Sequence, residues 1–506
     1  MTKAVVESDA LPEGYQSWWA EIAGHLGAIY PFQDEAAPAI CTLDIGTIIA
    51  SRRVRGGKVS LDPAALVAKA THPHLFGNRT LVREVRRAPW VAYPDADGNW
   101  HPAPLPPHGH ERPDPENFVV GLKYALLEEV RSYVRGAETV GILLSGGMDS
   151  RVLAGVVRAV QEESGNAFLV VGLTWGGESS RDVIYARRIT ERFGWDWQHY
   201  LINSETLAVN IGHAARMGAE TSPLHLHAMP EVAGTDGLGV VLAGSYGDSV
   251  GRAEFSGRRV TQLRPMLSER LDRFGVLRAE AVAAAEAELR LDIVATPHLD
   301  YQTPNLRRHE IEQEMHYMRR MLQACMLSIA RERRFYQLFT APNVIGRMWA
   351  LDPAIRDDEW YRRLLPRLPG NLLDIPWART GRRYDRPDEP PDDFSRQHHA
   401  YGTWLRRELR EEVLKRVNSE RIQELGLFNV RGLKQALRNW DRAGTASTNS
   451  LDELVTWIAS LHDFLEVYQI ETDGPLAELS WRDSVNALRG GLHARAYILV
   501  RERMRD

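Results

Sequence analysis

The chain has 506 residues, 44% of them hydrophobic and 25% charged, with a formal net charge of -5. That length exceeds one small domain, the balance is ordinary for a folded protein with a sizeable core, and the slight acidity gives no electrostatic footprint for nucleic acid. Two cysteines, Cys41 and Cys325, are too few for a zinc site and read as buried reduced thiols; no apolar run would span a bilayer and no apolar core follows Met1, so a cytoplasmic enzyme without membrane contact is expected.

Taken in order, Tyr15–Tyr30 reads as an aromatic helix, Cys41–Ala50 as an alternating strand and Ser51–Lys58 as a basic turn. Asp62 before Pro63 is an N-cap followed by proline in the first turn, which starts a helix through Ala70. Thr80–Arg86 and Trp90–Tyr93 alternate like strands, and Asp95–Gly98 has hairpin chemistry. Pro102–Pro115, dense in proline and histidine, reads as an interdomain linker with His108 and His110 in solvent. The division expected is therefore a small, reduced α+β domain over 1–115 and a larger domain over 116–506.

From Asn117 the apolar spacing is helical. Val140–Leu144, Ala167–Thr174, Gln198–Ile202 and Leu238–Gly244 then read as buried strands, with helices after the first and over Asp182–Phe193. That alternation predicts an α/β fold, a parallel sheet flanked by helices, with ligands beyond the carboxyl ends of its strands. His225 and His227 alternate like one face of an extended segment, as packing or pocket lining. Beyond 260 the chain turns mostly helical: Leu271–Arg290, Leu306–Arg334 as one or two long buried helices, then Trp404–Arg416, Val430–Ala443, Leu451–Ile470 and Ser480–Arg505. Between them lie a basic glycine-containing loop, Trp377–Arg383, and a proline-rich acidic stretch, 387–394, read as mobile surface.

Two glycine-flanked carboxylates stand out. After the first strand comes Ser145-Gly146-Gly147-Met148-Asp149-Ser150, where adjacent glycines and a following helix N-terminus make an anion cradle. After the fourth comes Gly244-Ser245-Tyr246-Gly247-Asp248-Ser249. Neither is a Walker loop, which needs Gly-Lys-Ser/Thr. The first resembles the pyrophosphate loop of the N-type ATP pyrophosphatases. The pair, about a hundred residues apart, resembles the synthetase domain of the asparagine synthetase family. The likeness continues in Ser328–Leu351, with Glu332 and Arg334, in Trp377–Arg383, where the family usually has a lysine, and in Asp62–Arg87, similar to the end of the family's glutaminase domain.

The resemblance implies ATP and Mg2+ as cofactors. It places Leu143, Ser145, Gly146, Gly147, Asp149, Ser150, Leu173, Asp182 and Gly244 around ATP and pyrophosphate, with Asp149 and Asp248 on the metal. Tyr246 and Glu332 are candidate bases, and Arg379 and Arg382 candidate electrostatic stand-ins for the lysine. Departures matter too. Residue 2 is Thr2, where glutamine-hydrolysing members carry a nucleophilic cysteine, and the second motif lacks their two glutamates. The glutaminase-deficient branch is implied, like β-lactam and carbapenam synthetases and lasso-peptide cyclases. Its members adenylate a carboxylate of a small molecule or peptide and join it to an amine, in specialised metabolite, antibiotic or peptide biosynthesis. A carrier or leader-binding protein fits among the partners, and nucleic acid does not. A nucleotide-binding pseudoenzyme or partner protein, and an ATP-dependent RNA-modifying enzyme, are the other readings of the same loop.

Overall fold

The computed structural model describes residues 22, 24–95, 99–296, 299, 304–444, 448–472 and 478–503. The helix expected over Tyr15–Tyr30 falls largely outside them, and residues 24–31 are turn and coil. β1 (Phe32–Asp34) pairs antiparallel with β2 (Ala37–Thr42) and with β3 (Val85–Arg87). The alternating segment Cys41–Ala50 is strand only to Thr42 and then becomes helix α1 (Ile45–Val54). Asp44 makes the difference. Its carboxylate accepts the N–H groups of Gly46 and Thr47, which starts the helix, and Ile45, Ile48 and Ile49 are then buried together. The basic run after it is the end of that helix, where Arg52 and Arg55 close on the buried Asp34 carboxylate.

Asp62 caps α2 (Pro63–Thr71) as its sequence predicts. Of the strands expected over Thr80–Arg86 and Trp90–Tyr93, only β3 and β4 (Ala92–Pro94) are extended. β4 pairs with β5 (Trp100–Pro102) as a hairpin whose tip, 96–98, lies outside the described residues.

α3 (Pro115–Tyr133) leads into the main sheet: β6 (Thr139–Leu143), α4 (Met148–Glu163), β7 (Leu169–Trp175), α5 (Arg181–Phe193) and β8 (Asp196–Tyr200), then α6 (Ser204–Arg216) and β9 (Val240–Ala243). After a small hairpin of β10 (Glu254–Phe255) and β11 (Arg258–Arg259) comes a fifth strand of the sheet, β12 (Arg334–Gln337). The order is β12-β9-β6-β7-β8, and every pairing is parallel. The chain builds outward from β6 to β8, then returns to the other side of β6 for β9 and β12. The direction reverses between β6 and β9, and the crevice beyond their carboxyl ends is where such a sheet receives ligands.

The remainder is helical. α7 (Ala279–Val294) begins later than the composition of 271–290 suggests. α8 (Asn305–Glu312) runs through a π-helical stretch, Gln313–Met318, into α9 (Arg319–Glu332). α10 (Pro342–Ala350), α11 (Arg410–Val417), α12 (Val430–Asp441), α13 (Ser450–Tyr468) and α14 (Trp481–Arg503) follow. The helix expected over Trp404–Arg416 is broken, its first piece being Tyr401–Arg406. Among the described residues no helix is long and apolar enough to cross a membrane.

One apolar core runs from Ile22 to Ile498. Buried ions tie the N-terminal segment to it: Arg87 and Arg320 both grip Glu220, at 2.7 and 3.0 Å. Pro102–Pro115 is a fastened strap. The N–H groups of Gly109 and Glu111 donate to the carbonyls of Trp349 and Ala350. His108 is not solvated, because it stacks on Trp349 at 4.1 Å and bonds to Glu310. The 387–394 stretch is also held: the Asp392 N–H donates to the Gly381 carbonyl, and its carboxylate accepts from Tyr185. His225 and His227 sit on and just after a helical turn, Pro223–Leu226, rather than an extended segment.

Candidate active site

β6 ends at Leu143, and the chain turns through Ser145-Gly146-Gly147 into α4. Gly147 is the N-cap and supplies no side-chain cap. The N–H groups of Met148, Asp149 and Ser150 therefore lack acceptors within the helix, and the helix dipole adds positive potential beside them. Ser145 Oγ lies 3.0 Å from Ser150 Oγ and accepts the Gly147 N–H at 3.1 Å. Around Gly147 the only atom near the place of a missing Cβ is that hydroxyl.

Gly146 departs from the expected role. A Cβ there would meet Ala378 Cβ at 2.8 Å, the Tyr185 ring at 3.0 Å and the Arg181 carbonyl at 3.1 Å. Its N–H is taken by Asp182, and its carbonyl accepts from the Ala378 N–H and from Arg151. Gly146 is thus a close-packing glycine, and the open donors begin at Gly147. Asp182 braces the loop from α5; burial lifts its carboxyl, against the pull of His398 and the Gly146 N–H.

Beyond β9, Gly244 and Gly247 let the second turn lie directly on the first. A Cβ on Gly244 would sit 2.9 Å from the Asp149 carbonyl oxygen, and one on Gly247 2.6 to 2.8 Å from the Asp149 side chain. Between them Tyr246 takes a left-handed backbone, φ 68°, and Gly247–Gly251 form a π-helical turn. The Asp149 and Asp248 carboxylates consequently repel each other. Burial lifts the Asp149 carboxyl to about 6, with Asp248 adding to the rise and Arg252 opposing it; burial also raises Asp248.

Arg252 organises the charges. It bonds both oxygens of Asp149, at 3.2 and 3.1 Å, and Asp358 at 3.1 Å, and lies 3.7 Å from Glu254. Arg379 reaches Glu254 at 3.2 Å from the loop whose Ala378 packs on Gly146. Among the described residues no three His, Cys, Asp or Glu side chains form a metal cage. Two adjoining carboxylates do suit Mg2+, which keeps water and phosphate oxygens as most of its ligands.

Other expected residues are elsewhere. Leu173 is fully buried, with its Cδ1 2.9 Å from the place of a Gly141 Cβ, and Leu143 is 5% exposed. Both side chains pack in the sheet core at the strand ends beside the crevice. Glu332 is exposed at the end of α9, just before β12 begins, on the edge of the parallel sheet opposite the crevice. It cannot be the base. Arg382 is turned to the Pro387 carbonyl in an exposed loop. Tyr246 is buried with its hydroxyl unpartnered, and burial and then the Glu314 carboxylate hold its pKa well above 10. Burial thus favours the neutral phenol.

The sequence reading missed Arg252, Glu254, Asp358 and Arg151. Arg252 and Glu254 follow Asp248 closely, but nothing in their spacing distinguishes them from an ordinary charged turn.

Residues 121–358 match the asparagine synthase family model. That span, a little under half of the chain, is similar to the asparagine synthetase family. The matched span covers both turns, Arg252 and Asp358. A curated Methanocaldococcus jannaschii protein, named as asparagine synthetase (glutamine-hydrolyzing) 1, is 30% identical over 135 residues, 26% of this chain and 24% of that protein. The chain thus spans about a quarter of that relative's length. Solved structures with similarity include the U34-tRNA thiolase NcsA of Methanococcus maripaludis, 15% identical, covering 39% of this chain and 72% of that one with a TM-score of 0.22. NMN synthetase of Francisella tularensis is 13% identical, covering 50% and 94%, TM-score 0.21. NAD+ synthetase of Burkholderia pseudomallei is 14% identical, covering 51% and 89%, TM-score 0.20. Likeness at that level says nothing of this chain's chemistry.

Proposed function

We infer that the asparagine synthase domain adenylates a substrate carboxylate with ATP and passes the acyl group to an amine, without hydrolysing glutamine. The observation that carries this reading is the contact of two glycine-flanked aspartate turns at the reversal of the parallel sheet, Gly247 lying against the Asp149 side chain.

A carboxylate oxygen of the substrate attacks the α-phosphorus of ATP, and the bond from that phosphorus to the bridging oxygen breaks. The departing pyrophosphate meets the N–H groups of Met148, Asp149 and Ser150 and the hydroxyls of Ser145 and Ser150, donors aimed where charge develops. Asp149 and Asp248 would hold Mg2+, which when bound neutralises phosphate charge. Arg252 occupies Asp149 before the nucleotide arrives, so binding shifts Arg252 toward Asp358 and Glu254, its other partners. Arg379 supports the phosphates as a fixed charge. The amine nitrogen then attacks the acyl carbon, the bond from that carbon to the phosphate oxygen breaks with its electron pair going to AMP, and the nitrogen gives up a proton to water. The second turn, Gly244-Ser245-Tyr246-Gly247-Asp248-Ser249, lacks the two glutamates of asparagine synthetases, which supports an acid of a small molecule or peptide as substrate in specialised biosynthesis.

ATP–pyrophosphate exchange tests this. Exchange stimulated by a carboxylic acid is expected, with Asp149→Asn and Asp248→Asn each lowering it at least 100-fold without shifting the melting temperature downward. Nucleotide binding with no exchange for any acid would assign a nucleotide-binding partner protein instead.

A further inference from the structure

The last described helix, α14, carries its small residues inward and its large ones outward. Ala487, Ala494 and Ile498 are buried, a Cβ on Gly490 would run into the Phe274 carbonyl, and one on Gly491 into Gln435. On the outer side Trp481, Val485, Leu488, Leu492 and Leu499 are between 36% and 72% exposed. A single exposed leucine needs no explanation, but a contiguous apolar patch marks an interaction site. The intervals between these five residues, four, three, four and seven, are the a/d repeat that a second helix fills by knobs into holes.

The helix is fastened in this orientation. Asn439 donates to the Gly491 carbonyl, Arg431 to the Ser484 hydroxyl and Arg270 to the Asn486 side-chain oxygen, while the Tyr497 hydroxyl accepts the Ser450 N–H. Rotation that buried the leucines would break these bonds and drive side chains into the Phe274 carbonyl. The stripe therefore stays outward until something covers it.

Charge decides what that is. Arg482 and Arg489 are exposed along one margin, and Arg495 stands on the stripe between Leu492 and Leu499. Among the described side chains of α14 the one carboxylate, Asp483, is buried and accepts the Ala279 and Ser480 N–H groups. The chain as a whole has a net charge of -5, so this cationic margin is local. A second copy of α14 would bring arginine to arginine with no exposed carboxylate between them. A lipid surface would have to take Arg495 in among the leucines beside it, at the cost of burying an unpaired charge. A helix with leucine-type residues in its own seam and carboxylates beside them satisfies the apolar stripe and the arginines together.

We propose that the outer stripe of α14 docks an acidic amphipathic helix of a partner protein, its apolar seam against Val485, Leu488 and Leu492 and its carboxylates on Arg489 and Arg495. The site is independent of the synthetase reading and shares none of its residues. The probe is a fluorescein-labelled peptide of three heptads with leucine at a and d and glutamate at e and g, titrated into the full chain and read by anisotropy. Binding in the micromolar range is expected, weakened at least tenfold when Leu488→Asn and Leu492→Asn are combined, both side chains being exposed and neither needed for folding. Arg495→Glu should lose the glutamate peptide and gain the same peptide built with lysine at e and g, a reversal that a merely sticky surface would not give. Equal affinity of the parent for the two peptides, no binding of either, or unchanged affinity in the variants overturns the proposal. Dimerisation of the chain in sedimentation, abolished by the double variant, would overturn it in favour of a second copy. Binding of phosphatidylglycerol vesicles without binding of the glutamate peptide would overturn it in favour of a membrane surface.

Discussion

Gly247 shows how much a missing methyl group decides. The Asp149 side chain occupies the space a Cβ would take, 2.6 Å from Cγ, so Gly247→Ala must push the carboxylate off its position or open the second turn. Overpacking of this kind costs about 1–3 kcal/mol. The expected outcome is a melting temperature lower by several degrees and an exchange rate lower by about 100-fold, since charge placement is lost as well as packing. Unchanged exchange with an unchanged melting curve would show that the two turns do not need this contact. At this scale the two turns that bring Ser145, Gly147, Asp149, Ser150 and Asp248 together were legible as turns after buried strands, because glycine and polar residues close each apolar run. Leu173 and Glu332 misled for opposite reasons. Leu173 ends an apolar run as a ligand-flanking residue would, yet its side chain fills the hollow over Gly141. Glu332 stands beside Arg333 and Arg334 in sequence, but the helix ahead of β12 carries it to the far edge of the sheet.

Arg151 links elements. From the first turn and a half of α4 its buried guanidinium donates to the carbonyls of Gly146, Leu372, Ile375 and Pro376, pinning the 371–376 segment, and with it Ala378 and Arg379, over the aspartate loop. Arg151→Met removes the donor to the Leu372, Ile375 and Pro376 carbonyls, while Gly146 keeps the Ala378 N–H, at a cost of about 1–3 kcal/mol for each carbonyl left unpaired out of reach of water. Limited trypsin digestion should then cut at Arg379, Arg382 or Arg383 several-fold faster than in the parent, while α4 stays intact; equal rates would show the loop is held by other contacts. The alternation of strands and helices from 139 to 243 was readable because buried parallel strands are short apolar runs closed by glycine. β12 was not, since Arg-Phe-Tyr-Gln follows α9 without a break and only its parallel pairing with β9 makes it a strand. α1 was lost to a strand reading because Cys41–Ala50 alternates locally, while the Asp44 cap that decides the matter is a single residue.

Across the molecule, stability against acid follows from buried groups far from the crevice. His316 is enclosed between the Gly77 N–H and the Thr296 hydroxyl, and burial, helped by Arg319 and Arg320, lowers its pKa to about 3. The folded value lies below the unfolded one, so this contribution is complete above about pH 6.5 and is lost as pH falls toward 3. Glu310 adds to it lower down. Burial alone would raise its carboxyl, but Arg356 and His108 outweigh burial and hold it at about 2, so its contribution is present above about 4.5 and lost below. Unfolding free energy should therefore decline from pH 6.5 to 4. In His316→Gln the slope near pH 5 should be shallower by about 1.4 kcal/mol per pH unit, one proton's worth. Chemical denaturation at several pH values measures it, and an identical slope in the variant would show that His316 does not stay neutral.

The sharing of Glu220 between Arg87 and Arg320 bears on how the chain can be cut. Removing residues up to 115 would leave that carboxylate with half its counter-charge, strip Trp349 of the His108 ring and wet a seam that is dry in the whole protein. Calorimetry on the intact chain should show a single endotherm, and residues 116–506 alone should collect in inclusion bodies rather than behave as an autonomous unit.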